Sequence, residues 1–358
     1  MNTIFSTFEP YLVLYLVTML VHLALVSFPL GGSVLLCLFE IFRGEEIQPL
    51  RSLISRHLAI SIGLAITAGV APLLFLELVH PHAFYNAGTI LGGWRPALLV
   101  PLIIAFYLAY LQKTELFRRW PGLLRFPVRM VGLASLVAVG LVWSISRRVG
   151  EEAAAWHERY LDLPLESLLW DALPGMGLVL ATATLGCSIG CLWLIGGDQK
   201  RGRLSPGERF LAEETLLRLA IFVAVGLAVV CEILRARHEH PVDLDWWLLR
   251  SGLFILITGF VVRLHRIGPG RILATGGALL ALATALVIRE VRRRGLLVDG
   301  GGYDTATMEV AATRGGLVAF IVSFLLCATA IGLALRMIAK AGAPPPAEDE
   351  DTIVEEVP

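Results

Sequence analysis

Apolar residues in this chain come in long blocks, not in the alternating pattern of a half-buried strand or the one-sided stripe of a surface helix. Nine blocks can be marked, at 10–39, 57–79, 96–112, 127–146, 173–196, 216–234, 246–263, 272–289 and 315–338. Each is near the roughly 20 residues that a helix needs to cross the hydrocarbon core of a bilayer. The pattern predicts an all-α membrane protein, a helical bundle of about nine transmembrane helices. The first block exceeds one crossing and is expected to tilt or protrude. It also lacks a basic leader, since the first Lys or Arg is Arg43. It is too long for the apolar region of a cleavable signal, and it reads as the first span.

Composition agrees. Of the 358 residues, 56% are hydrophobic and 17% charged, against about 25% charged in an ordinary soluble domain. The formal net charge is zero, and no basic stripe alternates with aromatics, so nucleic acid is set aside as a partner. Cys37, Cys187, Cys191, Cys231 and Cys327 all lie in apolar blocks and read as small buried thiols. No C-x-x-C-H occurs, which leaves no c-type haem attachment motif. Any haem would have to be held by side chains alone.

Lys and Arg in the short connections set the expected orientation. Arg43, Arg51, Arg56, Lys113, Arg118, Arg119, Arg125, Lys200, Arg201, Arg203, Arg209, Arg263, Arg266 and Arg271 fall in one set of alternate loops. The other set is poorer, which places the N-terminus outside and the C-terminus inside. Arg289, Arg292, Arg293 and Arg294 break the rule, and either the last helices are miscounted or packing or a partner holds them. The connection 150–171 is expected to form a short outer helix, and 196–214 a basic inner loop. Residues 1–342 read as one transmembrane domain. The tail 343–358 carries Pro344, Pro345 and Pro346 and six acidic residues with no base, and is expected to be a disordered cytoplasmic segment.

Helices in lipid associate through close backbone approach and polar contacts. Three stripes of small residues suit that role: Ala59, Gly63, Thr67 and Ala71; Thr182, Gly186 and Gly190; Gly277, Ala281 and Ala285. The plain reading is helix packing, and the functional one is a smooth wall for a flat cofactor. Pro29 and Pro72 fall inside the first two blocks, where each frees a carbonyl that neighbours must satisfy.

The candidate chemistry is gathered on few residues. His22 lies deep in the first block, and an intramembrane imidazole is a functional candidate by default. It would serve as an axial ligand of a b-type haem or bond a neighbouring carbonyl. His57 and His80 are the second ligands to consider. Glu77 and His80 are three apart and share a helix face. They are followed by His82, Tyr85, Trp94 and Arg95. Such a group has the acceptors and ring walls that a quinol oxidation site needs, and it equally suits an aromatic belt with a snorkelling arginine. His80, His82, His238 and His240 fall on one predicted side and could ligate zinc or copper.

The runs His57–Gly63, Gly69–Phe75, Phe84–Asn86 and Gly92–Trp94, with His22 before Gly31–Gly32 and the run Val287–Arg292, carry a resemblance. The chain resembles a group of uncharacterised bacterial polytopic membrane proteins associated with multihaem cytochromes and respiratory electron transfer. The resemblance implies a multi-pass protein of the bacterial inner membrane in a respiratory setting. It transfers no ligand. The paired histidines of cytochrome b and the core pattern of a haem–copper oxidase are absent. The expected function is an integral subunit of an electron-transfer complex, interacting with quinol and holding a b haem near His22. A c-type cytochrome or iron–sulfur partner would serve as electron outlet. The alternatives are a transporter and a structural membrane anchor.

Overall fold

The computed structural model describes residues 10–42, 47–200, 204–237, 244–266 and 269–303, with isolated positions between 322 and 336. Among the described residues there is no strand. The helices are α1 (Pro10–Ile41), α2 (Gln48–Val79), α3 (Pro81–Leu91), α4 (Trp94–Ala97), α5 (Leu99–Lys113), α6 (Glu115–Arg119), α7 (Gly122–Glu151), α8 (Trp156–Leu161), α9 (Leu165–Lys200), α10 (Pro206–Arg237), α11 (Leu244–Leu264) and α12 (Gly270–Gly301). Among the described residues eight segments are long and apolar enough to cross a bilayer, with α4 and α5 forming one of them. The protein is a multi-pass helical membrane bundle. The expected ninth span and the acidic tail lie outside the described residues.

Most helices outrun the apolar blocks that announced them. Backbone polar groups at membrane depth must be satisfied within the segment, so a helix continues while its polar side chains find partners inside the bundle. At one end Arg51, near the start of α2, donates to the carbonyls of Phe39 and Phe42. Glu40 of α1 meets Arg129 of α7 at 3.0 Å. Glu213 of α10 gathers Arg209, Arg263 and Arg271. The same economy shortens the expected basic loop at 196–214, because α9 runs to Lys200 and α10 starts at Pro206. The short helix expected in 150–171 is α8.

Helices α1 and α9 occupy the centre, and α1 packs on α2, α7, α9 and α12. The main core joins Leu36, Leu53, Ile54, Leu192, Leu216 and Phe260. Its tightest seams are made by glycine. A Cβ at Gly31 would collide with the Ala183 carbonyl of α9, and one at Gly277 with the Leu256 backbone of α11. Gly186 and Gly190 pack beneath Ser27 and Phe28 of α1. Two of the three stripes are therefore helix seams. The third stripe is packed at one end, where Ala59 is buried in the main core, and open at Gly63, where a Cβ would meet nothing within 4 Å.

Pro81 ends α2. Proline has no N–H to give and restricts the residue before it, so the chain breaks at His80 (φ −131°, ψ 58°) and restarts as α3. That break turns the His80 side chain into the bundle. At the end of α12, Gly302 takes the left-handed conformation (φ 67°) and its N–H closes on Val298 at 2.9 Å, the common glycine stop.

Candidate functional site

A cavity of about 620 Å³ lies between α1, α2, α5, α7, α9 and α12. Leu30, Ile62, Leu102 and Leu136 wall its apolar end, and Arg147, Arg148, Asp171 and Arg289 its polar end. Ile66, Leu73 and Val179 line it and are each more than a third exposed, so the cavity is open and not sealed.

His22 lines this cavity. Its Nδ1 is 3.0 Å from the Ala65 carbonyl oxygen of α2. A carbonyl only accepts, so Nδ1 carries the hydrogen, and in the neutral ring Nε2 keeps the lone pair. The ring rests against Gly69, where a Cβ would fall 2.8 Å from His22 Cε1. Glycine at 69 is what lets α1 and α2 close over an imidazole.

His57 does not reach this place. Its Nδ1 lies 2.9 Å from the Leu53 carbonyl of its own helical turn. Ala65, opposite His22, is eight residues further along α2, about 12 Å of helix rise. His57 and His22 therefore do not face each other across one ligand.

The outer-interface group predicted from sequence divides. His80 is buried and turns to α12, with Nε2 2.5 Å from Glu290 Oε1. Burial lowers its pKa from the ordinary value, against the opposing pull of Glu290. Its Nδ1 is buried without a partner. Glu77 stays at the surface, where it accepts from the Tyr85 hydroxyl and holds that phenol above its usual pKa. Tyr85 and Trp94 are half or more exposed. Arg95 folds back, donating to the Phe84 carbonyl at 2.9 Å and lying 4.3 Å over the Phe84 ring. His82 stacks on Tyr303 at 4.8 Å. The histidines at 80 and 82 thus point to different neighbours. His238 and His240 lie outside the described residues, and among the described residues no three His, Cys, Asp or Glu side chains gather as a metal site.

What the sequence reading missed is the polar network beside the cavity. Arg293 of α12 bonds Glu290 at 2.9 Å, Glu151 of α7 at 3.1 Å and the Tyr15 hydroxyl of α1 at 3.2 Å. Arg147 bonds Glu151 at 3.0 Å, and Arg289 donates to Tyr15 at 3.0 Å. The signal was present in the sequence as the arginine run that broke the orientation rule. Arg289 and Arg293 are held by packing inside the bundle. A second cavity of about 30 Å³, room for one water, sits among Tyr15, Arg95, Arg147, Glu151, Arg289 and Arg293.

Comparison with protein-family models and with curated proteins finds no match for this chain.

Proposed function

We propose that the chain is the membrane-embedded subunit of a respiratory electron-transfer complex, with the cavity beside His22 as the seat of its redox group. The observation that carries this reading is the His22 ring. Its Nδ1–H is held by a backbone carbonyl, and its Nε2 is left with a lone pair at the wall of an apolar cavity. Metal-ligating histidines are commonly oriented in this way, with the second ring nitrogen bonded to a carbonyl or carboxylate.

The residues present fit a b-type haem. Gly69 leaves space for the ring where any Cβ would displace it, and the surrounding wall is aliphatic. His22 would hold the iron, and a haem bound there supplies one-electron chemistry. The rest of the wall excludes water and fixes the imidazole. An electron source and an outlet must come from elsewhere, and a quinol with a c-type cytochrome or iron–sulfur partner would fill those roles. A second reading puts the quinol itself in this cavity, and it is supported by the cavity's apolar wall and its opening beside Ile66, Leu73 and Val179. His22 Nε2 would then accept the hydrogen bond of a quinol hydroxyl.

A reduced-minus-oxidised spectrum of the purified chain separates the two. The haem reading expects an α-band that His22→Ala removes. No α-band, with a quinone that co-purifies and is lost in His22→Ala, would move the assignment to quinol. Neither chromophore nor quinone would sink the electron-transfer reading.

A further inference from the structure

We infer that the polar end of the large cavity is an anion-binding site, in which Arg289 takes the carboxylate or phosphate of an amphiphile whose apolar body lies along the cavity. The inference uses the cavity of the proposed function but does not depend on the redox reading.

The case is one of uncompensated charge. Arg289 lines both cavities, yet its hydrogen bond is to a hydroxyl, that of Tyr15. Its Nε is buried without a partner. Among the described residues it makes no ion pair. The nearby carboxylates are already engaged: Glu151 by Arg147 and Arg293, and Glu290 by His80, Arg293 and Arg294. Arg95, on the small cavity, also has no carboxylate partner among the described residues; it meets the Phe84 carbonyl and the Phe84 and Trp143 rings. Arg148, also on the polar end, is paired with Asp171 at 3.0 Å. That leaves Arg95, Arg147, Arg289 and Arg293 around the two carboxylates Glu151 and Glu290, even with Arg294 left aside. A buried cation is tolerated when an opposite charge and hydrogen bonds complete its shell, and ionised acceptors make the strongest bonds to guanidinium. The position at the end of an open cavity with apolar walls says that the missing anion belongs to an amphiphile. Two sources share that chemistry, the propionates of a haem and the phosphate of an anionic lipid.

The test uses the full chain in detergent and in nanodiscs. One arm compares binding of haem b with binding of its dimethyl ester, which lacks the carboxylates. The other compares retention of phosphatidylglycerol with that of phosphatidylcholine by native mass spectrometry. Wild type is expected to prefer the anionic probe of at least one pair by about tenfold or more, as expected for a charge-assisted hydrogen bond. Arg289→Gln is expected to remove that preference and Arg289→Lys to keep part of it. If Arg289→Gln does not fold, Arg147→Gln is the second variant, since Arg147 lines both cavities, and it should reduce the preference. No preference in wild type, or one unchanged in these variants, overturns the inference. Retention of phosphatidylglycerol that depends on Arg289, with no binding of either haem, would leave this site standing and remove the haem reading. Equal binding of both haems with no lipid preference would do the reverse.

Discussion

His80 Nε2 lies 2.5 Å from Glu290 Oε1, a bond between residues 210 positions apart that ties the end of α2 to α12. Both side chains are almost fully buried. Glu290 also holds Arg293 at 2.9 Å. Removing one member of such a group leaves buried charge uncompensated, which costs more than the group ever contributed. Glu290→Ala should therefore lower stability by about 3 kcal/mol, and Glu290→Gln, which can still bond His80, by less. Thermal unfolding in detergent reads this. Equal stability of wild type and Glu290→Ala would show that α12 is held by its apolar face alone.

Acid should lower stability at the same place, because charging the buried His80 costs more than Glu290 returns. Burial keeps the folded His80 below the ordinary value of 6.5, so below that pH the unfolded chain binds a proton that the folded chain resists. The stability contributed by His80 is complete above the unfolded pKa and falls as the pH drops beneath it. The melting temperature of wild type should decline between about pH 7 and about pH 5, and that of His80→Gln should decline less. Parallel curves would remove His80 from the pH response.

Gly69 offers a test of the cavity that leaves His22 in place. A methyl group at 69 would sit 2.8 Å from His22 Cε1 and must push the ring off its bond to Ala65. Gly69→Ala is expected to fold, because α2 remains a helix, but to lose the α-band or bound quinone as His22→Ala does. A variant with full cofactor content would mean that the imidazole orientation does not matter.

Glycines on two faces of the bundle should behave oppositely. Gly31→Ala drives a methyl into the α9 backbone at Ala183 and should cost about 1–3 kcal/mol through overpacking. Gly63→Ala adds a methyl where nothing lies within 4 Å and should be neutral or stabilise by about 0.5 kcal/mol through helix propensity. Unfolding of the two variants side by side checks this. A loss at Gly63 as large as that at Gly31 would point to something covering that face.

Much of the architecture could be read in advance from particular residues. The helical spans were visible because an unbroken apolar run of membrane length admits little else. The second apolar block ends at 79, where α2 ends, but the helix α3 that follows was not read from it. The seam through Gly186 and Gly190 followed from the spacing of small residues. The site was less legible. Glu77 and His80 share a spacing that suggests one cluster, yet the helix ends between them and sends one side chain to solvent and the other to α12. The run from Arg289 to Arg294 was visible as an anomaly of charge, but its partners Tyr15 and Glu151 lie in helices far along the chain.

The chain by itself determined that it crosses a bilayer many times, and roughly where, because the cost of leaving backbone groups unbonded in hydrocarbon is a local matter that each segment settles within itself. Which imidazole meets which carboxylate, and where a cavity opens, was decided only by the tertiary structure. Those outcomes depend on how each helix is rotated and at what depth it packs, and the seams that set them, such as Gly31 against Ala183, join segments with no sequence relation to one another.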